Sequence, residues 1–374
     1  MTSFSLFRQS HFRRKILTIK SQPQLNALLA SMFSFSSRFF NEDYDINQSS
    51  VDGSRLESMT KHFSKLCLEY LDEALEECED EKPNLCLLQA LTLSTFQQLI
   101  MGARGRAWRS LGTCVRVAYE LNLHLIDTEK ISHEMPFIDN DADAWCLEEE
   151  KRRTWWAIWE MDTFASTVRR CPTAIDWSQN ETRLPTDDDL WLRGEPQSSC
   201  FLDPNPINRW KVLQQCGSQS PKAWFIVVNS LMREAQQLSS PRAVYPFGSS
   251  TDRSKPKSKT ATAFNRKNCE EISQSLGVLE NALQCFSFAL PQSLRYRDEH
   301  LRFPPNGTNI SLLMRNSSIY SIHIMTQLTN FMMYQHAVFG GGRRAHVQVI
   351  PASGKKVQTP PRDHNGTRTQ IRRV

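Results

Sequence analysis

Residues 104–127 read RGRAWRSLGTCVRVAYELNLHLID, and residues 148–162 read EEEKRRTWWAIWEMD. In the first stretch Trp108, Leu111, Val115, Ala118 and Leu121 recur at steps of three and four, which lines them up on one helical face. In the second, Glu148 precedes Arg152 and Glu149 precedes Arg153 by four residues, the spacing of ion pairs on a helix surface. Trp155, Trp156, Trp159 and Phe164 supply its apolar surface. Glu148, Glu149 and Glu150 suit the positive end of a helix dipole, so this helix is expected to open there. Between the two helices, residues 127–144 are acidic and irregular, with Pro136 inside, and read as a surface loop.

The pattern extends outward as helix. Leu56, Met59, Phe63, Leu66, Tyr70 and Ala74 mark one apolar face, and Lys61, Lys65, Glu69, Asp72, Glu73 and Glu76 mark the solvated one. Pro83 cannot continue that helix, and Asn84 can cap the next. Leu85, Leu88, Leu91, Leu93, Phe96, Leu99 and Ile100 make this next segment apolar almost all round, so it is expected in the middle of a bundle. Gly102 and Gly105 permit the turn that follows. The chain divides into a basic lead-in (1–23), a helical region (24–238), a basic loop or linker rich in Ser, Pro and Lys (239–268), further helices of the same domain (269–339) and a disordered basic tail (340–374). There is no internal repeat and no strand-rich region, so the expected fold is all-α: a multi-helix bundle with an irregular basic loop.

The 374 residues are 40% hydrophobic and 23% charged, with nine Trp and twenty Phe, a composition that can bury a substantial core. A net charge of +5 is mild for this length and does not by itself imply a nucleic-acid partner. No run approaches the roughly 18 apolar residues that span a bilayer, so no membrane partner is expected. The first forty residues carry Arg8, Arg13, Arg14, Lys15, Lys20 and Arg38 but no acid. That composition fits a mitochondrial transit peptide as well as a plain lead-in. No two of the ten cysteines have Cys-x-x-Cys spacing, and a short loop that presents two thiolates to zinc needs such pairs. Reduced, buried thiols and no metal are therefore expected. No phosphate loop, nucleophile elbow, His-Glu-x-x-His or dinucleotide fingerprint occurs, and no enzyme activity is expected.

Several motifs follow one another in order. A Leu-rich helix (87–100) precedes a Gly-Arg-Gly-like turn with Gly102 and Gly105. Ala107, Trp108, Arg109 and Gly112 begin the next helix, and Glu120, Leu121, Leu123 and His124 end it. Glu149, Glu150, Arg152, Arg153, Trp155, Trp156 and Asp162 fill the fourth helix. Pro172 and a Leu-Pro-x-Asp-Asp segment (Leu184, Pro185, Asp187, Asp188) follow. This series resembles the middle homology region of fungal zinc-cluster transcription factors, a helical regulatory domain. Residues 24–40 resemble its opening helix, and the likeness thins after Trp191. The resemblance implies transcription control in the nucleus, of a metabolic or secondary-metabolite gene cluster. It also implies partners in the transcription machinery or a paralogous factor, and a small-molecule effector. Zinc and DNA binding would come only through an N-terminal six-cysteine cluster, which this sequence lacks. A DNA-free co-regulator of a full-length paralogue, or a mitochondrial helical protein, are the other readings.

Individual residues leave alternatives open. Arg152 and Arg153 either hold an acidic partner or anionic effector, or form local ion pairs that brace the Asp162 end of the helix. The Trp cluster either lines an effector pocket or fills the core. His124 is expected as a cap or dipole contact. Asp187, Asp188 and Asp189 read as a solvated turn rather than a metal site. Arg253, Lys255, Lys257 and Lys259 form a candidate nuclear-import signal or a solvated loop.

Overall fold

A computed structural model describes residues 4–37, 53–128, 141–239, 259–303 and 309–339. The basic tail (340–374) and all but Lys259 of the import candidate lie outside the described residues, as does most of the acidic loop. Among the described residues there are eleven α-helices and no strand: α1 Gln9–Thr18, α2 Gln22–Ser36, α3 Gly53–Cys78, α4 Leu85–Ile100, α5 Gly105–Glu120, α6 Ala142–Arg169, α7 Asp188–Arg193, α8 Pro206–Gln215, α9 Pro221–Leu238, α10 Lys259–Ala289 and α11 Ile310–Phe339.

Local chemistry sets the helix starts. Asn84 accepts the Leu87 N–H at 2.9 Å and so caps α4, as its sequence suggests. Ser21, Asn205 and Ser220 cap α2, α8 and α9 in the same way, each with Pro in the first turn, where its missing N–H has no intrahelical bond to make. The turn between α4 and α5 needs Gly102, whose φ of 120° lies in a region that side-chain-bearing residues avoid.

Helix packing follows the burial pattern. α2 packs on α3 and α4, α4 on α5 and α6, and α6 on α9. α9 in turn packs on α8, α10 and α11. α4 is buried on nearly every side, as its all-round apolarity requires. Gly112 of α5 meets no such need: a methyl there would touch nothing within 4 Å. Gly112→Ala is therefore expected to raise stability by about 0.5–1 kcal/mol, by restricting the unfolded chain. Chemical denaturation followed by Trp fluorescence checks this, and a loss would show that the glycine serves packing after all.

Three expectations are corrected. α6 does not open at Glu148 but at Ala142, where Asp141 accepts the Asp143 and Ala144 N–H groups. Glu149 and Glu150 therefore sit two turns inside the helix and are buried, along with Arg152, Arg153, Thr154, Trp155, Trp156 and Trp159. The basic lead-in (1–23) holds a helix of its own, α1, and joins the core: Leu6 is 1% exposed, and Phe4, Phe7, Phe12 and Ile19 pack against it. The expected basic loop also ends early, because α10 starts at Lys259.

Candidate functional site

Two features of α6 stand out, a buried charge lattice near its N-terminal half and a cavity beside its C-terminal half. The lattice begins with Arg152, 2% exposed. Its Nε donates to Asp127 Oδ2 at 2.9 Å and its Nη2 to Asp127 Oδ1 at 2.6 Å, a bidentate fork. It also reaches Glu148 at 3.1 Å and Glu149 at 3.5 Å. Arg153 donates to Glu149 at 3.0 Å, to the Thr186 carbonyl at 2.8 Å and to Asp188, and its guanidinium lies 4.2 Å from the centre of the Trp191 ring. Glu149 also accepts the Thr186 N–H at 2.8 Å, and Asp127 the Arg183 N–H at 3.0 Å. The helix thus clamps the end of the α5 turn to the extended 183–188 segment.

That segment is set by its own sequence. Leu184 and Pro185 are buried, and the Leu184 N–H bonds to the Cys200 carbonyl. Trp156 donates from Nε1 to the Arg183 carbonyl at 2.7 Å, which meets the polar demand of a fully buried indole. A second cluster continues the lattice: Lys15 meets Glu150, and Gln89 donates to Glu150, to the Leu6 carbonyl and to Thr154.

These contacts decide the open readings. Arg152 and Arg153 do make the local pairs Glu148–Arg152 and Glu149–Arg153. They brace Asp127 and the 183–188 segment, however, and not the Asp162 end. Asp162 is held separately, by the Ile175 N–H at 2.9 Å and Ser166 at 3.3 Å. The tryptophans are core. His124 is no cap: its ring packs on Tyr119 at 4.7 Å, and burial pushes its pKa down. The acidic triplet divides its work, since Asp187 caps α7 while Asp188 turns inward to Arg153 and Ser5. Trp108 is half-buried under the Arg169 guanidinium, 5.0 Å from its ring centre, and Gly105 opens α5. Among the described residues, no group of three or more His, Cys, Asp or Glu is placed to hold a metal ion. No helix there is long and apolar enough to cross a membrane.

The lattice fixes a pH dependence. Burial alone would raise the Asp127 pKa, but the hydrogen bonds and charge of Arg152 with the Arg183 N–H hold it below the ordinary value. Arg153 and Ser5 do the same for half-buried Asp188. Carboxyls depressed in the folded state add stability above their unfolded pKa, about 3.9, and lose it as pH falls through the lower folded value. Asp162 has the opposite sign: burial raises it, and the Ile175 and Ala174 N–H groups do not offset this. Asp127→Asn is thus expected to destabilise the domain at pH 7 far more than Asp162→Asn, and to flatten the acid limb below pH ~4. Guanidinium titrations at pH 7 and at pH 3.5 measure both effects, and equal losses at pH 7 would contradict the assignment.

The cavity is about 950 Å³, bordered by Phe164, Thr167, Val168 and Pro172, by Phe225, Asn229, Met232 and Arg233 of α9, and by Tyr320, Ile324 and Leu328 of α11. Its polar residues carry no motif and are not legible in the sequence.

Among the described residues the chain is an all-helical body with a buried ion-pair lattice at its centre. The model of the fungal specific transcription factor domain matches residues 3–331, and the chain belongs to that family. It is similar to the tropolone cluster transcription factor tropK of Talaromyces stipitatus, at 24% identity over 71% of this chain and 42% of that one. It also resembles the azaphilone cluster-specific transcription factor azaR of Aspergillus niger, at 31% identity over 32% of this chain and 25% of that one. The transcription factor tazR of Aspergillus terreus is 27% identical over 39% of this chain and 23% of its own length. The chain thus spans less than half of the length of each of these relatives. No solved structure matches.

Proposed function

We propose that this chain regulates transcription of a fungal secondary-metabolite gene cluster from the nucleus. The observation that carries this is the family match across residues 3–331, joined to relatives whose names assign them to such clusters. In this reading the helical domain restrains an activating surface until an effector or partner shifts its equilibrium. Sequence-specific DNA contact belongs to a zinc cluster outside the matched region, and the transcription machinery or a paralogous factor is the protein partner. Glu149, Arg152, Arg153, Trp156, Asp162, Leu184 and Pro185 maintain the restrained form, with Gly102 setting the turn before them. Arg253, Lys255, Lys257 and Lys259 serve nuclear import, and replacing all four with Ser is expected to move a fluorescent fusion out of the nucleus.

The test is deletion of the gene followed by transcript sequencing. A contiguous block of biosynthetic transcripts should change together, and reintroducing the intact chain should restore them. Unchanged transcripts across every such block would sink the reading.

A further inference from the structure

The cavity beside α6 has the composition of a ligand site. Its walls are mostly apolar, and its volume of about 950 Å³ lies at the upper end of the range of small-molecule pockets, roughly 300–1,000 Å³. α6 and α9 both border it, tied at one end by Lys222 to Glu160 at 3.0 Å and near the other by Gln236 Nε2 to the Thr167 carbonyl at 2.8 Å. The lining face of α9, from Phe225 to Gln236, is about 16 Å long at the helical rise.

Its polar atoms are left wanting at one end. Thr167 Oγ1, Asn229 Oδ1, Arg233 Nε and Ser239 Oγ are all buried without a hydrogen-bond partner among the described residues, and all four residues line this cavity. Buried polar groups are nearly always paired, so four such atoms around one space call for a missing partner. Arg233 is the most telling. It is 3% exposed, and its Nη atoms donate only to neutral acceptors, the Cys171 carbonyl and Gln236. Buried Asp162 acts on it only from beyond ion-pair distance, and no carboxylate among the described residues lies closer, so a direct counter-charge would offset much of the cost of burying this cation. The opposite end already has its ion pair, so the demand for negative charge is one-sided. Met161, Met232, Met325 and Met332 in the walls can repack around varied shapes.

We propose that this cavity binds a largely apolar organic acid of drug-like size, with its acidic oxygen on Arg233 and Asn229 and its body among the methionines and aromatics of α6, α9 and α11. The regulatory meaning of this rests on the function proposed above; the binding does not, and the test reads binding alone. The full chain is titrated with 1-anilinonaphthalene-8-sulfonate and with N-phenyl-1-naphthylamine, the same aromatic body without the anion. Each should fill one saturable site, with the sulfonate bound at least about tenfold tighter, the size of a charge-assisted hydrogen bond. Arg233→Met should erase that preference and leave the Kd of the amine unchanged. Leu328→Trp, which narrows the cavity from the α11 side, should weaken the binding of both dyes while thermal unfolding stays cooperative. Equal affinities in the parent chain, a preference that survives Arg233→Met, or affinities for both dyes unchanged by Leu328→Trp would each overturn the proposal. So would non-saturable binding, the sign of a loosened core. If Arg233→Met does not unfold cooperatively, the parent-chain preference and Leu328→Trp decide it.

Discussion

Arg152→Met is expected to lower the stability of the domain by about 3–5 kcal/mol, which approaches the whole stability of an ordinary domain. The reason is what the change leaves behind. Asp127 and Glu149 have side chains with no solvent exposure, and Arg152 is the bidentate partner of the first and a partner of the second. Methionine fills much of the space but carries no charge, so Asp127 would keep the Arg183 N–H and the more distant Arg183 charge but lose its bidentate partner. Adding Asp127→Leu to the same chain should recover part of the loss, because an apolar pair in place of a buried ion pair is often near neutral. Glu149 still has Arg153 and the Thr186 N–H in that double variant. Denaturant midpoints of the two single variants and the double variant give the coupling directly. A single-variant loss below about 1 kcal/mol would place the pair in effective contact with water and refute the buried-lattice account.

A chain beginning at Lys20 should fare at least as badly, losing about 5 kcal/mol or more and its solubility with it. The missing segment takes away Leu6, a fully buried side chain, and the Phe4, Phe7 and Phe12 contacts with the core. It also strips Lys15 from Glu150, Ser5 from Asp188 and Arg8 from the Leu192 carbonyl. Expression of the shortened chain, with thermal unfolding of any soluble fraction, measures the effect. Should it melt like the full chain, the basic segment would be the detachable leader that its composition allows.

Much of the helical framework is legible in the sequence because helix signals are local. Asn84, Pro83 and the three-and-four spacing in 56–74 mark boundaries and faces within a few residues. The core role of Trp155, Trp156 and Trp159 follows from the same periodicity. The candidate site is a different matter. The i,i+4 rule finds Glu149 for Arg153, but Asp127, Thr186, Asp188 and Lys15 are partners only after folding. A run such as EEEKRR reads as a solvated face until tertiary contacts enclose it. Asp141, the cap of α6, lies in a stretch whose acidity and Pro136 read as loop. The cavity is harder still: Asn229 and Arg233 share a helical face by their spacing of four, but nothing in the sequence brings Thr167 or the other helices to that face.

The N-terminal segment also sets a timetable. Ser5 is 183 residues from Asp188, and Lys15 is 135 from Glu150. At synthesis rates of about 5–20 residues per second, Leu6 and its neighbouring aromatics emerge roughly 10–40 seconds before the surface that receives them exists. Through that interval the growing polypeptide carries an adhesive apolar segment with nowhere to dock.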